Sequence, residues 1–210
     1  MAKAVIVGGV RTPIASHGGA FRTLTAQHLA SLVFQEAVIR AGIDASILDD
    51  VVLGCIGQQS DAPNIGRVAG LLAGIPVHVP GQTVQRNCVS GMVAITSACQ
   101  AIQAGDGQAF LCGGVESMST SPYVVRGARW GLKLRHDTFV DTLWEGLTDP
   151  VCGLMMGATA ENLAMMYAIS RQEQDKFAVM SHKKAFRATR MGRFRDEIIP
   201  VRVSKKVAGQ

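Results

Sequence analysis

Short apolar runs alternate with helical patterns along the first 116 residues, and Gly, Pro or Asp separates each run from the next. This alternation is typical of strands joined by crossover helices in an α/β domain. The apolar runs predict strands at residues 3–9, 51–56, 83–85 and 109–115, the first of them buried. The apolar stripes predict helices at residues 25–41, 65–73 and 89–104. We therefore expect a parallel sheet flanked by helices.

The predicted helix at residues 89–104 is small and apolar on nearly every side. Met92, Ile95, Cys99 and Ile102 form one stripe, and mostly alanine and serine occupy the other sides. A helix that is apolar all round is usually buried. We expect this helix in the middle of the molecule.

The alternation stops after Ser117. Residues 119–150 hold scattered Ser, Pro, Gly and basic residues, which predicts an irregular excursion over the surface with a functional or partner-binding role. Helices are predicted again at residues 158–167 and 171–191, and a last strand at 198–203. We divide the chain into an α/β domain, residues 1–118, and a loop domain with the start of a return to the core, residues 119–210.

Composition narrows the class of protein. Hydrophobic residues make up 48% and charged residues 18%, as in a well-packed globular protein. No stretch approaches the roughly 20 apolar residues that span a bilayer, so no membrane segment is expected. Five cysteines without CxxC spacing favour a reducing cytoplasm. No spacing indicates a metal site.

The net charge of +5 is unevenly distributed. Basic residues crowd into residues 126–135 and into the cluster Lys183, Lys184, Arg187 and Arg190. Such clusters are either solvated surface or contacts for a phosphate-bearing ligand, and the sequence leaves both open. Aromatic residues do not alternate with the basic ones, so a nucleic-acid partner is not expected.

Cys88 lies where the third predicted strand runs into the helix at 89–104. The unpaired N–H groups and the positive dipole at a helix start favour a thiolate, so the position suits a reactive cysteine. Gly91 in the first turn leaves room for a ligand or a second backbone. The alternative is that Cys88 only begins a buried helix. The other four cysteines, Cys55, Cys99, Cys112 and Cys152, are predicted to be packed.

Several stretches in a fixed order carry a resemblance that covers nearly the whole chain. They are RTP at 11–13, QRNCVSGMVAI at 85–95, GGVESM at 113–118, MGATAEN at 156–162, SRQEQD at 170–175 and GRFRDEI at 192–198. The second resembles the acyl-enzyme signature of thiolases, and the others resemble thiolase landmarks. The resemblance identifies Cys88 as the family's acyl-carrying nucleophile.

The resemblance implies the N-terminal half of a thiolase-like α/β fold, with a mixed sheet, crossover helices and an inserted loop domain that meets coenzyme A. It also implies an activity, either thiolysis of 3-ketoacyl-CoA by CoA or Claisen condensation of two acyl-CoA molecules, through a thioester on Cys88. The backbone N–H of Cys88 would help to hold the thioester oxygen. CoA thioesters are the expected substrates, no permanently bound cofactor is expected, and we expect a homo-oligomer, either a dimer or a tetramer.

Two parts of the family's machinery are absent from these residues. Thiolases carry a His in a Gly-His-Pro setting and a second Cys in a Gly-rich turn, both in the C-terminal half. None of the histidines has that setting; they are His17, His28, His78, His136 and His182. We expect a truncated piece of a thiolase or the first subunit of a split one, inactive without a complementary C-terminal half.

A departure concerns the substrate. Short-chain biosynthetic thiolases often place a His just before the Met that begins the MGATAEN stretch. At that position this chain has Met155. Met155 and Met156 are expected to lie near the pantetheine and the acyl tail, although a methionine pair also suits core packing. Two other readings remain: a non-catalytic thiolase-fold subunit that acts by assembly, and a ketoacyl synthase relative, against which the segment after Glu116 argues.

Overall fold

The computed structural model describes residues 2–132, 134 and 136–203. The chain forms two compact units. The first runs to Ser121 and resumes at Glu197, and the second is Pro122–Asp196. The boundary therefore falls three residues after residue 118, and the chain returns to the first unit near its end.

A parallel sheet organises the first unit. Its three strands are β1 (Asp50–Gly54), β2 (Gly81–Val84) and β3 (Phe110–Gly114). β1 is central, and both neighbours are parallel to it in the order β2-β1-β3. Gly54 lies opposite Val84 on one side and Gly114 on the other, so the three carboxyl ends meet at one edge. The predicted α/β class and these three strands are confirmed.

Three helices join and cover the strands: α1 (Ala26–Ala41), α2 (Ile65–Leu72) and α3 (Ser90–Ala104). Thr25 caps α1 by accepting the N–H of His28, and Asn64 caps α2 by accepting that of Arg67. Gly42 ends α1 with a φ of 65°, a conformation that glycine adopts without strain. All three helices lie within two residues of the positions predicted from the apolar pattern.

The two faces of the sheet carry different helices. Phe34 of α1 and Ile65 of α2 share the main core cluster with Leu53 of β1. Successive residues of a strand point to opposite faces, so Gly54 faces the other way. There the start of α3 lies so close that a Cβ on Gly54 would be 2.3 Å from the carbonyl carbon of Ser90. The first unit is therefore a sheet between two helical layers.

The prediction that α3 is buried nearly all round is wrong. Ala94 and Ala98 are buried, whereas Met92 is 66% and Ile95 is 42% exposed. Because the sheet beneath α3 ends in glycines, the helix approaches with its small side chains, and the stripe of larger ones is turned away. Cys99 and Ile102 of that stripe are partly buried, so the exposed part is its first half.

The prediction of a buried strand at residues 3–9 is also wrong. Val5, Ile6 and Val7 are at least 70% exposed, and the segment pairs with no strand within the described residues. An apolar run needs a neighbouring strand to satisfy its N–H and C=O groups before it can be buried. The predicted strand at 198–203 is likewise absent from its described residues, where Ile198 makes only an isolated bridge to Arg11.

The second unit consists of short elements followed by longer helices. They are β4 (Tyr123–Val124), β5 (Val140–Asp141), α4 (Thr142–Gly146), α5 (Met156–Met166) and α6 (Arg171–Arg190). β4 and β5 pair antiparallel. The predicted capping box of Ser170 and Glu173 is present at the start of α6. Lys133 and Arg135 of the basic stretch lie outside the described residues. No helix that the structure describes is long and apolar enough to cross a membrane.

Candidate active site

The candidate site lies on the turn between β2 and α3, at the carboxyl edge of the sheet. The turn closes through two backbone hydrogen bonds, from Val89 N–H to the Arg86 carbonyl (3.3 Å) and from Ser90 N–H to the Asn87 carbonyl (3.0 Å). Asn87 has a φ of 48°, in the left-handed region. Cys88 follows it and is exposed, as the prediction of a reactive cysteine requires.

The backbone N–H of Cys88 is available to a ligand. It donates to no acceptor within the part of the chain that the structure describes. A backbone N–H that has no partner is a ready donor to a carbonyl oxygen that gains negative charge. The turn thus presents a thiol and a hydrogen-bond donor from the same residue.

Glycines let the helix that carries this turn lie against the sheet. A Cβ on Gly114 would lie 3.0 Å from the Cα of Gly91, whereas one on Gly91 would make an ordinary contact, 3.5 Å from the Cα of Gly114. A second backbone, that of Gly114, does lie beside Gly91, and the close approach depends on the missing Cβ of Gly114. Gly54 admits Ser90 in the same way, a contact that no local sequence pattern indicates.

Glu116 connects two of the loops at the carboxyl edge. Its carboxylate accepts the N–H of Ile56 and that of Gly57, both at 3.0 Å. The Sγ of Cys55 lies 3.7 Å from Oε1 of the same carboxylate. Glu116 thereby fixes the loop after β1 to the loop after β3. The bonds of Glu116 were not predictable from the sequence, because a partner about 60 positions away leaves no local signal.

Burial distinguishes two of the other cysteines from Cys88. Burial, together with the charge of Glu116, raises the pKa of the Cys55 thiol to about 12. Burial, with a contribution from Asp50, raises the pKa of Cys112 to about 11. At neutral pH both thiols are almost wholly protonated, so neither is a nucleophile.

The prediction that all four of these cysteines are packed is wrong for Cys152, which is exposed. The side chain of Asp149 accepts the N–H groups of Val151 and Cys152 at 2.7 Å and 3.1 Å. This turn is stabilised by local hydrogen bonds, so it needs no packing and leaves the cysteine on the surface. Cys99 is partly buried.

The five histidines are all exposed. His78 contacts the carbonyl of Ser46 at 3.2 Å, and no histidine forms a hydrogen bond with Cys88. No group of three or more His, Cys, Asp or Glu within the described residues is arranged to hold a metal ion.

Met155 and Met156 lie side by side at the start of α5, in the second unit, whereas Cys88 belongs to the first. Met155 is the N-cap residue of α5, and the N–H of Met156 donates to the carbonyl of Leu147 (3.0 Å). Both side chains are partly exposed, at 36% and 45%. Neither methionine is a fully buried core residue.

Two sequence relatives of the chain are named as acyltransferases that use acetyl-CoA. The chain is 40% identical over 205 residues to the acetyl-CoA acetyltransferase of Syntrophomonas wolfei, covering 96% of this chain and 52% of the relative. It is 40% identical to a probable acetyl-CoA acyltransferase of Staphylococcus aureus, with 98% and 53% covered. The chain spans about half the length of the curated relatives it matches.

Solved structures give the same result for the fold. The acetyl-CoA acetyltransferase of Bacillus anthracis superposes with a TM-score of 0.95 at 45% identity, covering 99% of this chain and 52% of that one. Human mitochondrial 3-ketoacyl-CoA thiolase, crystallised with CoA, superposes with a TM-score of 0.90 at 39% identity. The match covers 95% of this chain and 51% of the human one. The family model described as thiolase, N-terminal domain, matches residues 4–209. This chain therefore belongs to the thiolase family and corresponds to its N-terminal half.

Proposed function

We propose that the chain supplies the nucleophile of a thiolase-type acyltransferase, with Cys88 carrying the acyl group. The observation that carries this proposal is the turn at Cys88, where an exposed thiol and an unpartnered N–H occur on one residue. The acyltransferase names of the relatives support it. The substrates are acyl-CoA, 3-ketoacyl-CoA and CoA, in either thiolysis or condensation.

The chemistry follows from the two groups on Cys88. The sulfur attacks the carbonyl carbon of an acyl-CoA, a new C–S bond forms, and the old C–S bond breaks as CoA leaves with the proton that Cys88 gives up. The carbonyl oxygen carries negative charge between these events, and the Cys88 N–H donates to it. Covalent catalysis of this kind divides one difficult step into two easier ones.

Complementation tests the proposal. The chain is joined to the C-terminal half of the Bacillus anthracis acetyl-CoA acetyltransferase, whose N-terminal half it resembles with a TM-score of 0.95. The joined protein is incubated with acetyl-CoA and digested. An acetyl group on the peptide that contains Cys88, absent from the C88A variant, supports the proposal. Turnover that survives C88A refutes it.

The second unit is proposed to be the loop domain that meets coenzyme A. Met155 and Met156 are partly exposed at the start of a helix, where flexible thioether side chains suit an irregular apolar ligand such as an acyl tail. The human relative crystallised with CoA supports a CoA site in the family. A shift in acyl-chain preference in the M156A variant, with unchanged stability, would support this assignment.

We expect the 210-residue chain alone to show no thiolysis of acetoacetyl-CoA. No histidine forms a hydrogen bond with Cys88, and general acid–base catalysis contributes about 100-fold or more to such reactions. The assay follows loss of acetoacetyl-CoA in the presence of CoA, with the joined protein as the positive control. Robust turnover by the chain alone would contradict this prediction. A joined protein that is folded but inert would favour the alternative of a non-catalytic subunit.

We also expect the chain alone to self-associate. Met92 and Ile95 of α3 and the apolar residues Val5, Ile6 and Val7 are exposed, and several large apolar side chains left in water favour association. We propose that the complementary C-terminal half covers this surface in an assembled homo-oligomer in the cytoplasm. Light scattering measures the mass, and the M92K variant should lower it. A monodisperse wild-type monomer would count against the prediction.

A further inference from the structure

The side chain of Ser90 closes the turn that carries Cys88. Its Oγ accepts the N–H of Arg86 at 2.8 Å and donates to the carbonyl of Asn87 at 2.6 Å. The backbone N–H of Ser90 donates to the same carbonyl at 3.0 Å. One hydroxyl therefore joins the start of the turn to its middle, and the Asn87 carbonyl receives two hydrogen bonds.

Ser90 is itself held firmly. It is only 5% exposed, and its backbone lies directly on Gly54 at the end of β1. Packing of backbone on backbone leaves little freedom to shift, because neither side can rotate away as a side chain can. The backbone of Ser90 is therefore fixed, and its hydroxyl is held by the bonds to Arg86 and Asn87.

Asn87 explains why such a restraint is needed. Its φ of 48° lies in the left-handed region, which residues other than glycine adopt only when their surroundings require it. The hydrogen bonds from Ser90 to the Asn87 carbonyl supply that requirement. Without them the peptide group that follows Asn87 would lose the two restraints on its carbonyl.

That peptide group is the link to the chemistry. The carbonyl of Asn87 and the N–H of Cys88 belong to one planar trans unit, so they point in opposite directions. The bonds that hold the Asn87 carbonyl toward Ser90 therefore hold the Cys88 N–H in the opposite direction. Two hydrogen bonds to the carbonyl also polarise the unit, which makes the N–H a stronger donor.

We propose that Ser90 is a positioning residue, whose hydroxyl aims the Cys88 N–H at the oxygen of the acyl group that Cys88 receives. The inference rests on the proposed function, in which Cys88 is the acyl-carrying nucleophile. Ser90 does not touch the substrate. It acts through the Asn87–Cys88 peptide.

Two reactions of Cys88 distinguish a positioning role of Ser90 from a role in folding alone. In acyl transfer from p-nitrophenyl acetate, the sulfur attacks the carbonyl carbon, a C–S bond forms, the C–O bond breaks to release nitrophenolate, and the thiol proton passes to the buffer. The carbonyl oxygen is negatively charged in between. Alkylation by iodoacetamide displaces iodide from the same sulfur and develops no such oxyanion. Both rates are measured on the whole chain carrying C152S, since Cys152 is also exposed.

In the S90A variant we expect acyl transfer to Cys88 to slow by about 10-fold or more, as on partial loss of an oxyanion donor. Alkylation should change by less than about threefold, because it needs no such donor. T96A is the matched control, since Thr96 lies on the same helix and donates to the carbonyl of Val93 at 3.1 Å. It should leave both rates unchanged.

The outcomes are distinct. An unchanged acyl-transfer rate in S90A, or an equal fall in both rates, overturns the positioning role. If the C152S chain releases nitrophenolate no faster than C88S/C152S, the nucleophile assignment itself fails, and the role of Ser90 fails with it. If S90A does not fold, N87G/S90A replaces it, because glycine accepts the left-handed φ. The same selective loss of acyl transfer is expected there.

Discussion

Iodoacetamide at neutral pH should label Cys88 roughly tenfold or more faster than Cys55 or Cys112. Thiols with pKa values of about 12 and about 11 are ionised at pH 7 to only about 1 part in 100,000 and 10,000, so Cys55 and Cys112 present far less thiolate than an unburied cysteine does. The greater nucleophilicity of the more basic thiolates returns only part of this difference. Burial of Cys55 slows its reaction further.

The pH dependence gives the prediction a second test. Between pH 7 and 10 the alkylation rates of Cys55 and Cys112 should rise about tenfold per pH unit, because their pKa values lie above this range. Peptide mass spectrometry locates each adduct, and the C152S variant removes the other exposed thiol. Faster labelling of Cys55 or Cys112 than of Cys88 would contradict the structure of the site. Equal labelling of all cysteines would indicate that the chain alone is unfolded.

The G54A variant should be severely destabilised. A Cβ at this position would lie 2.3 Å from the carbonyl carbon of Ser90 and 2.5 Å from the backbone nitrogen of Gly91. These are backbone atoms, so the start of α3 must move off the sheet. Overpacking costs about 1–3 kcal/mol, occasionally more, and we expect the upper end of this range. Urea unfolding measures the loss, and the displaced turn should also slow acylation of Cys88.

G70A provides the matched control. Gly70 is also buried and faces the sheet, but a Cβ there would lie 3.6 Å from a methyl carbon of Val51, an ordinary contact. Gly70 is also within a helix, where alanine is favoured over glycine by about 1 kcal/mol. G70A should therefore be neutral or stabilising. Equal losses in G54A and G70A would show that close approach of Ser90 is not what Gly54 provides.

The sequence predicted those elements whose determinants are local. The apolar stripe and the final glycine predict α1, and the capping box predicts the start of α6. The place of Cys88 at the strand-to-helix junction also follows from the pattern. Its exposure agrees with that prediction, whereas its catalytic role remains a proposal.

The features that depend on distant neighbours were not predictable in this way. The apolar run at Val5, Ile6 and Val7 has the composition of a buried strand, but no described strand lies beside it. The stripe of α3 shows the same limit, because periodicity reveals that two sides differ without revealing which side meets the sheet. The Glu116 bonds and the Ser90 contact with Gly54 join residues far apart in the chain, so pattern alone does not indicate them.

The central position of β1 sets an order of assembly during synthesis. β1 is the first strand made, and both of its partners follow it, with β3 ending only at Gly114. At about 5–20 residues per second, the ribosome needs roughly 3 to 12 s to go from Gly54 at the end of β1 to that glycine. Until then one edge of β1 stays open, and an open edge readily pairs with a neighbouring nascent chain. Chains translated close together on one message are therefore most prone to exchange strands before β3 emerges.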